Sequence, residues 1–128
     1  MREMKFRAKD HEGNWVYGDL HLNHKMPHIH PFENNRTFIN TKTIGQYTGL
    51  KDKNGKEIYE GDIIGCHNPN IKHLIFFNEK QGRFMAALDG DIENDYYGVC
   101  GLDDSRWNAT KEVIGNIHDN PELISKEE

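Results

Sequence analysis

Apolar residues recur at alternating positions in short runs, and clusters of Gly, Asn, Asp and Lys separate those runs. This pattern predicts strands joined by turns, with no amphipathic helix. Met4 to Lys9 alternates apolar and basic residues and places Phe6 and Ala8 on one face. Asp10 to Asn14 reads as a turn in which Gly13 can supply positive φ. Trp15 to Leu22 then returns as the second strand of a hairpin. Its period of two puts Trp15, Tyr17 and Asp19 on one face and Val16, Gly18, Leu20 and Leu22 on the other, which is the predicted core face.

The alternation dissolves between Asn23 and Asn35, where Pro27 and Pro31 remove ladder donors, and this stretch reads as a surface loop. Arg36 to Thr41 is a short strand carrying Phe38 and Ile39. The densest punctuation lies in Gly45 to Cys66. A strand around Ile44 to Tyr47 leads to a charged turn at Lys51 to Lys56, and Asn54-Gly55 within it reads as a two-residue hairpin turn. Strands follow around Glu57 to Tyr59 and Ile63 to Cys66, with Gly61-Asp62 resetting the backbone between them, so Asn54, Gly55, Gly61 and Asp62 are the predicted structural turn residues. Asn68-Pro69-Asn70 reads as another turn, Lys72 to Phe77 as a buried strand, Asn78 to Gly82 as a turn and Arg83 to Leu88 as the returning strand. A strand centred on Tyr96 to Cys100 and a last one over Lys111 to Ile117 follow, with Gly115 weakening the latter or marking a bulge. Asn120-Pro121 reads as the N-cap and first residue of a short helix, and Ser125 to Glu128 as a frayed end. The predicted fold is mainly β: one domain over residues 1–128, built of antiparallel hairpins forming a small barrel or sandwich, with a short C-terminal helical turn. No internal repeat, low-complexity tract or linker stands out.

At 128 residues with only 35% hydrophobic residues, the chain is polar for its size. That composition calls for long exposed loops or for burial between subunits. The net charge of -5 disfavours nonspecific contact with phosphate backbones, so any basic face must be local. Cys66 and Cys100 form no CxxC pair, the start has no signal-peptide pattern, and no apolar run is long enough to span a bilayer. The expectation is a cytoplasmic protein without membrane association.

The segment TGLKDKNGKEIYEGDII resembles the central signature of the YopX family of bacteriophage and prophage proteins. MREMKFRAKD at the start and EVIGNIHDNPEL near the finish agree with it in the same order, while Asn68 to Lys111 has no residue-by-residue match. The resemblance implies a YopX-like fold and a bacterial host cell. It carries no assigned biochemical activity and hence no catalytic residues.

Candidate chemistry is sparse. His21, His24, His28 and His30 lie close together, and His28 and His30 share a face if the backbone is extended. Their spacing fits no structural zinc pattern, and they read as a polar loop. The run Asp89 to Asp95 places Asn94 and Cys100 where a calcium loop starting at Asp89 needs Gly and Glu, so it reads as a solvated acidic loop. No nucleophile elbow, cysteine–histidine signature or phosphate loop is present in the sequence, and no cofactor is implied. Lys51, Lys53 and Lys56 in the charged turn, with Arg7 and Lys9 on the first strand, form the best basic candidates for binding nucleic acid.

Two readings of function follow. The first is a non-enzymatic phage or prophage accessory protein that acts through protein contacts as a homo-oligomer, with itself or a phage or host protein as partner. The alternative is a nucleic-acid-binding module that uses the basic turns on a β scaffold.

Overall fold

A computed structural model describes residues 5–21, 28–30, 37–66, 68–80, 82–88, 99–101 and 111–124. Among these residues the chain is mostly β, in two antiparallel sheets. The strands are β1 (Phe6–Lys9), β2 (Trp15–His21), β3 (His28–His30), β4 (Thr37–Phe38), β5 (Gly45–Lys51), β6 (Glu57–Tyr59), β7 (Asp62–Cys66), β8 (Asn68–Asn78), β9 (Arg83–Leu88), β10 (Val99–Gly101) and β11 (Glu112–Asn116). The first sheet has the order β4-β3-β2-β1-β5-β6 and the second β10-β9-β8-β7-β11. Among the described residues neither order closes on itself. The chain divides into two compact units, Met1–Gly49 and Leu50–Glu128.

In the first unit the register Ala8↔Val16 and Leu20↔Ile29 gathers the apolar residues of alternate positions on one face. Ala8, Ile29 and Ile39 are buried there, and Phe6, Val16, Leu20 and Ile44 pack against them. The core face predicted for Trp15 to Leu22 is therefore the observed one over the described residues. The end of β1 is closed by a 3-10 turn, Thr41–Thr43, that strand patterning does not reveal. The Thr43 hydroxyl accepts the Lys9 N–H at 2.8 Å and donates to the Asn40 carbonyl at 2.7 Å.

The segment read as a loop contains β3. Pairing on both sides extends it, Leu20↔Ile29 toward β2 and Ile29↔Thr37 toward β4. One fully buried apolar residue between two histidines is too short a signal for period-two reading to detect.

The second unit is a meander, β7-β8-β9. Its core holds Ile58, Ile64, Ile75, Phe84 and Ala86, with Leu50 and Val113 packed on them. The expected turn at Asn68-Pro69-Asn70 is instead the start of β8. Gly65 pairs with Lys72 and Cys66 with Asn68, so residues 69–71 form an irregularity in the ladder. Proline is tolerated there because no ladder donor is required of it. A second register shift between Val113 and Gly115 makes the predicted bulge in β11. A Cβ on Gly115 would lie 2.7 Å from Asn120 Oδ1. That oxygen accepts the Asn116 N–H at 3.3 Å and makes no capping bond to Pro121–Leu123, so the C-terminal 3-10 turn forms with Asn120 serving the bulge rather than the helix start.

The charged turn is tighter in bonding and longer in span than the sequence suggests. Asp52 N–H donates to Lys56 C=O at 2.8 Å and Gly55 N–H to Asp52 C=O at 3.0 Å, leaving a three-residue loop with Gly55 at φ 82°. A type I turn followed by a left-handed glycine has this form. The turn at Asp10 to Asn14 repeats it: Asp10 N–H donates to Asn14 C=O at 2.9 Å, Gly13 N–H to Asp10 C=O at 3.2 Å, and Gly13 has φ 87°. Both turns are Lys-Asp-x-x-Gly, followed three residues later by Val16-Tyr17 or Ile58-Tyr59. The chain thus does carry a short internal recurrence, visible once the two hairpins are compared.

Candidate functional site

The first hairpin positions a surface. The Asp10 carboxylate accepts the Glu12 and Asn14 N–H groups, both at 2.9 Å, which fixes the turn. The turn in turn fixes the register Arg7↔Tyr17 and Lys9↔Trp15. Because Phe6 and Ala8 face the core, Lys5, Arg7 and Lys9 line the opposite face together with Trp15, Tyr17, Asp19 and His21.

On that face cations lie over rings. The Arg7 guanidinium is 4.6 Å from the Trp15 ring centroid, Lys9 Nζ is 5.5 Å from the same ring, and Lys5 Nζ is 5.5 Å from Tyr47. Arg7 and Tyr47 are buried, so these contacts hold the middle of the sheet rigid; a desolvated cation–π pair contributes about 2 kcal/mol. Toward the β4 edge the face opens. His21 and His28 pair across β2 and β3 with rings stacked at 5.0 Å and 6° between planes. Phe38 meets His28 edge-on at 6.2 Å. Tyr17 is 44% exposed and Phe38 37%.

Of the basic residues singled out in the sequence, Arg7 and Lys9 stand on β1 in the first unit, whereas Lys51 ends β5 and Lys53 and Lys56 belong to the charged turn of the second. Lys53 Nζ is 3.6 Å from Glu112 Oε2, and Asn54 Nδ2 donates to Glu112 Oε1 at 3.3 Å. Asn54, Gly55, Gly61 and Asp62 serve backbone geometry: Gly61 has φ 92°, and the buried Asp62 carboxylate accepts the Tyr59 N–H at 2.8 Å. Of the metal candidates, His28 faces His21, and His30 is in register with Asp19, its side chain lying outside the described residues. His24 and the acidic run Asp89 to Asp95 also lie outside them. Among the described residues no three His, Cys, Asp or Glu side chains converge as a metal site.

The Asp52 carboxyl of the second unit is perturbed. Burial raises its pKa, but backbone N–H donors from Val113, Lys56 and Asn54, helped by the Lys56 charge, outweigh it and hold the carboxyl below its ordinary value of 3.8. The bonds are 3.0, 2.9 and 2.9 Å long. This is a structural clasp that ties the turn to β11.

With both hairpins and the sheet face in view, comparison with known proteins places the chain. The profile described as YopX protein matches residues 5–125. The chain belongs to the YopX family. A similar solved structure is the crystal structure of protein EF1440 from Enterococcus faecalis, 27% identical, with a TM-score of 0.61, covering 98% of this chain and 100% of that one. No curated protein matches this YopX-family sequence. The two Lys-Asp-x-x-Gly turns both fall inside the matched span, and so does the aromatic face between them. That face was not legible as a site, because the row His21, His28, Phe38 depends on β3.

Proposed function

We propose that this YopX-family chain is a non-enzymatic phage or prophage accessory protein of the bacterial cytoplasm that works through protein contacts as a homo-oligomer. The observation that carries the reading is a separation of charge. The first unit holds seven Lys and Arg against five Asp and Glu, a net of +2, and the second nine against sixteen, a net of -7. A surplus of one sign on each unit favours a head-to-tail contact between copies, which closes into a ring when the rotation permits. Phe77, 39% exposed and edge-on to Phe84 at 5.2 Å, supplies an apolar anchor on the acidic unit. The basic turn fits nucleic acid less well, since Lys53 is engaged by Glu112 and the unit around it is acidic.

Sedimentation at rising concentration tests this. The expected result is a mass above the 14.9 kDa of one chain at low ionic strength, falling toward one chain as salt screens the contact. A single-chain mass at high concentration and low salt refutes self-association.

A further inference from the structure

We infer that Asn54 is a site of spontaneous deamidation, gated by the turn that carries it, and that the product unlatches this turn from β11. Water is the only co-reactant. The inference goes beyond the proposed self-association, because every residue it uses lies in the second unit and a single chain can carry it.

Asn54 is the only asparagine in the sequence that is followed by glycine. That pairing matters because the nucleophile is the backbone nitrogen of the next residue, and a glycine there has no side chain to hinder attack. Both reacting groups belong to one short stretch of chain, so the step is intramolecular and ring closure is favoured by proximity. The Gly55 nitrogen bonds to Asn54 Cγ, the Cγ–Nδ2 bond breaks, and the amide leaves as ammonia with the proton from Gly55. A five-membered succinimide results. Water then adds to one of its two carbonyl carbons and opens the ring, leaving aspartate, or isoaspartate with the backbone rerouted through Cγ. No oxidation or reduction is involved.

The structure sets the access and the gate. Lys53, Asn54, Gly55 and Lys56 are all exposed, and nothing lies within 4 Å of the place a Gly55 Cβ would take, so no packed side chain shields the tip. What restrains the reaction is bonding at the turn. Gly55 N–H donates to Asp52 C=O at 3.0 Å, Asn54 N–H to the Asp52 carboxylate at 2.9 Å, and Asn54 Nδ2 to Glu112 Oε1 at 3.3 Å. The nitrogen becomes available when these bonds part, and exposed turn bonds open at far lower cost than a core does. The product then undoes the contact that Asn54 made. Aspartate puts a carboxylate where an amide met Glu112, and like charges at that range repel. Lys53 Nζ, 3.6 Å from Glu112 Oε2, is left with two carboxylates to serve. Isoaspartate instead adds a backbone carbon to the loop closed by the Asp52 N–H to Lys56 C=O bond. That draws the donors of the Asp52 carboxylate out of place, the Val113 N–H at 3.0 Å among them.

The test is incubation of the full chain at mildly alkaline pH, native and in urea, followed by peptide mass spectrometry. The expected result is the mass gain of an amide turned acid at Asn54 in the native protein, appearing more slowly than in urea because the turn bonds hold the nitrogen back. Asp52→Asn, which loosens the turn, should speed the native reaction by about 5-fold or more. Asn54→Gln should abolish the gain in this peptide, since glutamine must close a larger ring. In the isolated product, hydrogen exchange at the Val113 amide should be roughly 2- to 10-fold faster, the consequence of a weakened hydrogen bond. The comparison of native with urea uses the unmodified chain, so it stands even where Asp52→Asn fails to fold. A native Asn54 that stays intact while the urea sample converts would overturn the inference. Equal rates in the two samples would remove the turn as the gate, and an unchanged Val113 exchange in the product would remove the unlatching.

Discussion

At the scale of single residues, the carboxylates of Asp10 and Asp52 occupy the same position in two turns but differ in cost of loss. Asp10 accepts two exposed backbone donors, while Asp52 is buried and accepts a third from Val113, 61 residues away in sequence. Asp52→Asn would point an amide donor at one of three backbone donors and leave it unsatisfied, which costs about 1–3 kcal/mol. Chemical denaturation at neutral pH measures it. Because the folded pKa of Asp52 lies below its unfolded one, its charge stabilises the fold above the unfolded value. That stabilisation is lost as pH falls below about 4 and through the folded pKa. The unmodified protein should lose stability over that window, and the Asn variant should lose less. An unchanged acid limb in the variant would remove Asp52 from the account.

Among elements, the two hairpins show what a sequence discloses and what it withholds. The turn at Gly55 was visible because Asn-Gly permits positive φ, yet the loop has three residues, since the Asp52 side chain captures the Asn54 and Lys56 N–H groups and adds a step. Space around Gly55 is open, so Gly55→Val acts through backbone strain alone and should cost on the order of 1–3 kcal/mol. A thermal melt that does not move would show that the turn tolerates a β-branched residue. Strands with several apolar alternations, such as Trp15–His21 and Arg83–Leu88, were legible within a residue. The three-residue β3 was not, because its single buried side chain, Ile29, is recognised only by its partners Leu20 and Thr37. The aromatic row depends on β3, and so the best candidate surface was hidden with it.

For the whole molecule, charge is where sequence and structure inform each other most. The net -5 of the chain contains an uneven distribution, a surplus of +2 in the unit up to Gly49 and of -7 in the unit from Leu50. The basic residues chosen from sequence are the turn lysines Lys51, Lys53 and Lys56 together with Arg7 and Lys9 of the first strand, and strand geometry sets the latter two against Trp15. The separation of charge between the two units, as the driver of self-association, is the central claim. Its most direct measurement is the sedimentation mass of the full chain across a range of salt concentrations. The predicted outcome is a mass above the 14.9 kDa of one chain at low ionic strength that falls toward one chain as salt screens the contact. A single-chain mass at high concentration and low salt would contradict it.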